Sequence, residues 1–400
     1  MQPAEILIIG AGPVGLATAA LLAAGPAANR LRIRVVDSAQ PPVWQAERGD
    51  LRVYALSKAA QDVLATAGAL PDIASRRMSA YERMCVWEGA TAATAARVNF
   101  DSADIGAAAL GHIVEDTLIR QALFGVLERS SEVELTFDQR LKSIDFGTRS
   151  ALVSFEERSQ PLAANLVIGA DGAQSHVRDA AQVSCIERDY GQRAIVAHVG
   201  SQRPHEKTAW QRFLPGGPLA LLPLWDGRCS IVWSLPQTEA QRWLEADPAE
   251  FGQRLTYASG GVLGALSLDS ERAALPLVAR HAHEYCRPRL VLAGDAAHSV
   301  HPLAGQGVNL GLADAAELAT QIAAAALDGQ DPGDLRVLRR YERARRGPNL
   351  LMLGALDGLD RLFRSPQLLA PVRATGLQIV NRMPLVKNAL MRHASGVASS

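Results

Sequence analysis

The chain has 400 residues, of which 48 % are apolar and 20 % charged, a composition that excludes a disordered chain and points to two or three structural units. Lys+Arg and Asp+Glu both number 41, a formal net charge of zero that argues against a nucleic-acid binder held by bulk positive charge. Cys85, Cys185, Cys229 and Cys286 lie far apart with no CxxC pair, so neither a disulfide framework nor a metal site is indicated, and a reducing, cytoplasmic compartment fits.

In chain order, residues 5–9 read as a short apolar strand rather than a secretory signal, because no basic segment precedes them. An Ala/Leu-rich helix over 13–24 and a second strand over 32–36 follow, and Asp37 closes that strand. Pro41 and Pro42 mark a loop before a helix capped by Ser57. Strands are expected from 81 to 100, a helix over 112–127, and strands over 132–137, 151–155 and 166–168. Residues 193–235 are strand-rich, with Gly216-Gly217-Pro218 and Asp226-Gly227 as hairpin turns. A strand over 289–293 precedes a long helix over 306–326, and the last seventy residues read as mostly helical. No uncharged run of about 18 apolar residues is found to span a bilayer.

Gly10-Ala-Gly12-Pro-Val-Gly15 stands at the first strand-to-helix junction and matches GxGxxG. Gly10 permits the tight turn, Gly12 lets the backbone approach a pyrophosphate, and Gly15 allows close helix packing. Asp37 lies where a carboxylate accepts from a ribose hydroxyl. A second glycine-acid pair, Gly294-Asp295, ends another apolar strand and opens the loop toward Gly305-Gln306-Gly307. Such sites converging on one crevice fit an elongated flavin dinucleotide better than NAD.

Together with the middle stretch Gly169-Ala-Asp171-Gly172, these residues resemble the class A FAD-dependent aromatic hydroxylases. The run from His301 to Gly311, Leu110-Gly-His-Ile-Val-Glu115 and Gly217-Pro-Leu-Ala-Leu-Leu-Pro223 look like the ubiquinone-biosynthesis members. Leu110–Glu115, Cys229-Ser-Ile-Val-Trp-Ser-Leu235 and Asp314-Ala-Ala-Glu317 are most like the branch acting at ring position C5 of a polyprenylphenol, and a paralogous hydroxylase of another position of the same ring stays open. The resemblance implies an α/β fold: a doubly wound, Rossmann-like FAD domain (1–72, 111–187 and 273–330), an inserted mixed-sheet substrate domain (73–110 and 188–272) and a helical extension (331–400).

It implies that Gly10, Gly12, Pro13, Val14 and Gly15 hold the FAD pyrophosphate, with Asp37 on the adenosine ribose and Arg52 against the flavin. Asp171 is linked to cofactor and reductant handling, and Gly294 and Asp295 to the ribityl chain. Gly305, Gln306 and Gly307 would lie under the flavin ring, with Pro302, Val308 and Asn309 also binding the cofactor. Many relatives carry an arginine two residues after Glu115; here Asp116-Thr117 follow, and the nearest arginine is Arg120.

The implied chemistry is attack by an electron-rich phenol ring on the distal oxygen of a flavin C4a-hydroperoxide, with electrons from NAD(P)H or a partner protein. A base near the phenol would help, and His301 and His298 lie in the right loop, with His301 the better candidate. His112 and the cysteines read as structural. Trp210, Phe213, Trp225 and Trp233, interleaved with Leu221, Leu222 and Leu224, suit either a sheet core or a tunnel for a polyisoprenoid tail. Arg339, Arg340, Arg343, Arg345 and Arg346 suit a solvated helix face, a membrane surface or a partner protein. A disulfide oxidoreductase lacks its cysteine pair and a flavin halogenase its Trp-x-Trp. A non-catalytic flavin-holding subunit of a biosynthetic assembly stays open.

Overall fold

A strand covered on both faces reads as a continuous apolar run, and Glu5-Ile-Leu-Ile-Ile9 does. In the computed structural model, which describes residues 3–47, 49–89, 96–300, 306–364, 370–383, 387–388 and 391–392, it lies inside a six-stranded sheet as the strand Ala4–Ile9. Leu31–Val36 and Leu166–Gly169 flank it in parallel, and Ile8 pairs with Val35 on one side and Ile168 on the other. Val133–Thr136 and Leu290–Leu292 extend the parallel sheet, and Cys286–Arg287 closes one edge antiparallel. The helices Pro13–Ala24, Asp116–Glu128 and Gly307–Leu327 supply Leu16, Leu123 and Leu318 to its core, and a small antiparallel sheet supplies Val153 and Phe155.

The second sheet is nine-stranded and mixed. The 17-residue strand Cys185–Ser201 is its spine, pairing with Ala273–Ala282, Cys229–Pro236 and Leu266–Leu268, all antiparallel. Beyond Cys229–Pro236 come Leu219–Pro223, Thr208–Phe213, Arg83–Glu88 and Ala96–Asp101, and the pairing of Thr208–Phe213 with Arg83–Glu88 is parallel.

Side chains alternate across this sheet. Ile195, Leu221, Ile231 and Trp233 point to one face, where they pack on Trp243, Phe251 and Leu255 of the helices Gln237–Glu245 and Pro248–Ala258. Ala194, Val196, Ala220, Leu222 and Val232 point to the other, which walls a cleft.

Three expectations need correcting. The helix expected over 112–127 begins only at Asp116, because Gly111–Glu115 is a strand held between Val53–Leu56 and Ser79–Tyr81; its β-branched pair Ile113-Val114 suits a pleat better than a helix. The boundary at 273 falls at the start of a strand that hydrogen-bonds within the nine-stranded sheet, not the parallel one. Arg345 is not on the exposed face of the helix Leu335–Arg364 but turns inward to Asp314.

By length and composition alone, Gly307–Leu327 is apolar enough to cross a bilayer. It is instead packed between Pro13–Ala24 and Leu335–Arg364, with Leu312, Leu318 and Ile322 fully buried.

Candidate active site

Between the two sheets lies a cleft of about 1020 Å³. The glycine turn is part of its lining. Gly10 has φ +112°, and a Cβ there would stand 2.3 Å from the Ala170 carbonyl oxygen, so only glycine fits. A Cβ on Gly15 would meet the Gly10 oxygen at 1.9 Å, which is how the helix comes to rest on the turn. Gly12 differs: a Cβ would touch no protein atom within 4 Å, and the residue lines the cleft beside Pro13 and Val14. Asp37 also faces the cleft; its Oδ2 accepts from the Ala11 amide at 2.5 Å and its Oδ1 from the Ala39 amide at 2.7 Å.

Asp295 faces the same cleft from the end of the strand Leu290–Leu292. Gly294 before it has φ +59°, and Val14 occupies the space a Cβ would need, 2.9 Å away. Gly307, at the start of its helix, lies close to Asp295 and lines the cleft with Val308. Among the described residues no hydrogen bond reaches the Asp295 carboxylate, and burial raises it above the ordinary carboxyl range against the pull of Arg52.

Arg52, Tyr54, Asp116 and Arg120 also line the cleft. The Tyr54 hydroxyl donates to Asp116 Oδ1 at 2.9 Å, and burial together with that carboxylate keeps the phenol protonated well past its ordinary range. Arg120 donates from Nε to the Ala11 carbonyl at 3.2 Å, so the arginine one helical turn beyond the expected position still reaches the glycine turn. Buried Glu115 holds the segment carrying Arg52: it accepts from the Asp50 amide at 3.0 Å, and Asp50 accepts from the Arg52 amide at 2.9 Å. Tyr54 and Asp116 were missed by sequence reasoning; the apolar-polar alternation of residues 51–54 was the available signal.

Asp171 lines the cleft, with Oδ1 accepting from Ser175 Oγ at 2.5 Å and Oδ2 from the Val177 amide at 3.1 Å; burial raises its pKa. Gly15 and Gly294 stand behind the lining rather than in it. The Asn309 side chain turns away as well, donating to the Ala55 carbonyl and accepting from the Ser57 amide, both at 3.0 Å, while the Gln306 Oε1 accepts from Asn309 at 3.4 Å. His301, Pro302 and Gly305 lie outside the described residues. His298 is not a candidate base: it is 2 % exposed, and its Nε2 is bound to Asp314 Oδ2 at 2.5 Å. Trp210, Phe213 and Trp233 also leave the cleft, Trp210 packing edge-on to Trp87 and Phe213 stacking on Phe363.

The model of a family described as an FAD binding domain matches residues 3–349. The chain belongs to that FAD-binding family. It is 34 % identical to the 3-demethoxyubiquinol 3-hydroxylase of Escherichia coli over 99 % of both chains. It is 37 % identical to the ubiquinone hydroxylase UbiL of Rhodospirillum rubrum (98 % of this chain, 90 % of that one) and 34 % identical to the mitochondrial ubiquinone biosynthesis monooxygenase COQ6 of Xenopus tropicalis (98 % and 93 %). Among solved structures, p-nitrophenol 4-monooxygenase PnpA of Pseudomonas putida superposes with a TM-score of 0.77 at 19 % identity, covering 99 % of this chain and 98 % of its own.

FAD is the cofactor of this family member, and the cleft fits it. Gly12 is open where a pyrophosphate must approach, beside a helix N-terminus whose free amides favour negative charge. Asp37 and Asp295 both line the cleft and present carboxylates able to accept from sugar hydroxyls.

Proposed function

We propose that this chain is an FAD-dependent monooxygenase that hydroxylates the aromatic ring of a polyprenylphenol intermediate of ubiquinone biosynthesis, with C5 the favoured position. Near-full-length identity of 34–37 % to three ubiquinone hydroxylases supports the reaction class. The carrying observation is the cleft itself: its volume of about 1020 Å³ joins the dinucleotide turn to a wall of methyl-bearing side chains suited to an apolar substrate. FAD supplies the oxygen activation, with O2 as co-substrate and NAD(P)H or a partner protein as electron source.

The chain's own residues bind and orient. Gly10, Gly12 and Asp37 hold the pyrophosphate and adenosine end with Arg120 at the same turn, Asp295 holds the ribityl chain, Arg52 lies against the flavin, and Gly307 with Val308 supports its ring. Ala194, Val196, Ala220 and Val232 keep water from the reacting face. Asp171 serves cofactor and reductant handling, and His301 is the base that assists the phenol. Residues 1–72, 111–187 and 283–330 serve the cofactor, and 73–110 with 188–282 the substrate.

Peripheral contact with a membrane completes the reading, since the substrate is a lipid. On the helix Leu335–Arg364, exposed Arg339, Arg340, Arg343 and Arg346 are followed by exposed Leu350, Leu351, Leu359 and Leu362.

Mass spectrometry of quinone-pathway lipids from cells lacking this chain tests the reaction. A polyprenylphenol short of one ring hydroxyl should accumulate and disappear on re-expression, and the missing position names the carbon. Re-expression of a variant that has lost FAD should not rescue; full rescue would favour a non-catalytic subunit instead.

A further inference from the structure

Behind the cofactor turn lies a buried polar cluster that the proposed chemistry does not use. Asp314, on the helix Gly307–Leu327, is fully buried. Its Oδ2 accepts from the Gly294 amide at 3.1 Å and from His298 Nε2 at 2.5 Å, and its Oδ1 from Arg345 Nε at 2.7 Å and Asn349 Nδ2 at 3.1 Å. Burial would raise this carboxyl, but His298 and Arg345 hold it below its ordinary value. Arg345 also donates to Asn349 Oδ1 at 3.0 Å, which orients the amide.

A carboxylate suits this point for a plain reason. Donors converge on both of its oxygens, and an amide in its place would set an N–H group against one pair of them. One of those donors is the backbone of Gly294, the left-handed residue that aims Asp295 into the cleft. The remaining donors come from three other points, two of them on the C-terminal helix Leu335–Arg364.

We propose that Asp314, paired with Arg345, is a positioning residue that fixes the Gly294–Asp295 turn for the flavin half of the dinucleotide. The proposal rests on the reading of Asp295 as the ribityl ligand. Asp314 does not touch the cofactor; it acts through the amide of Gly294. The C-terminal helix thereby becomes part of the cofactor site while its outer face stays exposed.

The test is titration of the apoprotein with FAD and, separately, with ADP, which can occupy the glycine turn and Asp37 but does not reach Asp295. Asp314→Asn should raise the FAD Kd about tenfold to a hundredfold, the scale of a lost hydrogen bond to a charged group, and leave the ADP Kd within about twofold. Arg345→Gln, which keeps a donor and removes the charge, should give the same pattern with a smaller loss. It decides the matter if Asp314→Asn does not fold, and an unchanged FAD Kd for Arg345→Gln then overturns the proposal. Equal loss of FAD and ADP in Asp314→Asn would mean a general packing role and also overturn it. Asp295→Asn is the control: if it weakens FAD and Asp314→Asn does not, the positioning role fails alone. If Asp295→Asn leaves FAD binding intact, the ribityl reading fails first.

Discussion

Gly12 and Gly15 belong to one motif and answer to different partners. Gly15 is required by the protein, since a Cβ there would collide with the Gly10 oxygen. Gly12 has no protein neighbour to offend. Gly12→Val should therefore leave the melting temperature of the apoprotein close to that of the parent while abolishing visible flavin absorbance in the purified protein. Gly15→Val should lose soluble protein altogether. Expression yield, thermal melting and the flavin spectrum of the pair separate a ligand constraint from a folding one.

The glycine spacing and the cleft carboxylates Asp37, Asp171 and Asp295 were legible in the sequence because they are local: strand, turn and acid follow one another along the chain. Tyr54 and Asp116 were not, because their contact joins segments 62 residues apart. For the same reason His298 looked available for proton transfer until the helix carrying Asp314 was folded against it.

At the level of single elements, the alternation of the nine-stranded sheet separates two tasks. Val232 faces the cleft, and Trp233 beside it is 1 % exposed on the opposite face against Phe251. Trp233→Ala should cost about 3–5 kcal/mol, the usual range for an aromatic removed from a packed core. It should leave FAD affinity of the folded protein unchanged, because the lost volume lies across the sheet. A urea unfolding midpoint measured beside an FAD titration checks both halves; a large loss of affinity would place the tryptophan in the site.

The aromatic-rich pattern over 210–233 announced strands but not which face the rings would take, since face is set by sheet register rather than by composition. Residues 112–115 show the reverse case. Helix propensity across 112–127 is fair, yet His112 to Glu115 are taken by two neighbouring strands whose pairing no local pattern records.

For the whole molecule, the exposed stripe of the C-terminal helix is the feature the parallel sheet and the cleft leave unexplained. Leu351 is 70 % exposed and Leu350 49 %, an arrangement water alone does not favour. Leu350→Glu with Leu351→Glu should abolish co-sedimentation with vesicles containing anionic lipid, while FAD content and melting temperature hold. Binding that persists in the double variant would move the contact elsewhere. The basic run before these leucines was visible in the sequence, but not that Arg345 would leave it for the interior, since one residue in a helical turn can serve a different face from its neighbours.

The cleft-facing side of the nine-stranded sheet has a further property. It is built in large part from alanine and valine: Ala194, Val196, Ala209, Ala220 and Val232. A side chain of one carbon has almost nothing left to remove, so at the alanines the wall already stands as far back as its backbone allows, and the larger neighbours Met84, Leu222 and Leu275 set what width remains to be gained. At these five positions divergence runs mainly in one direction: bulk added at any of them shortens or excludes a long hydrocarbon. Descendants of such a protein become more selective by gaining atoms, and they regain breadth only by losing them again.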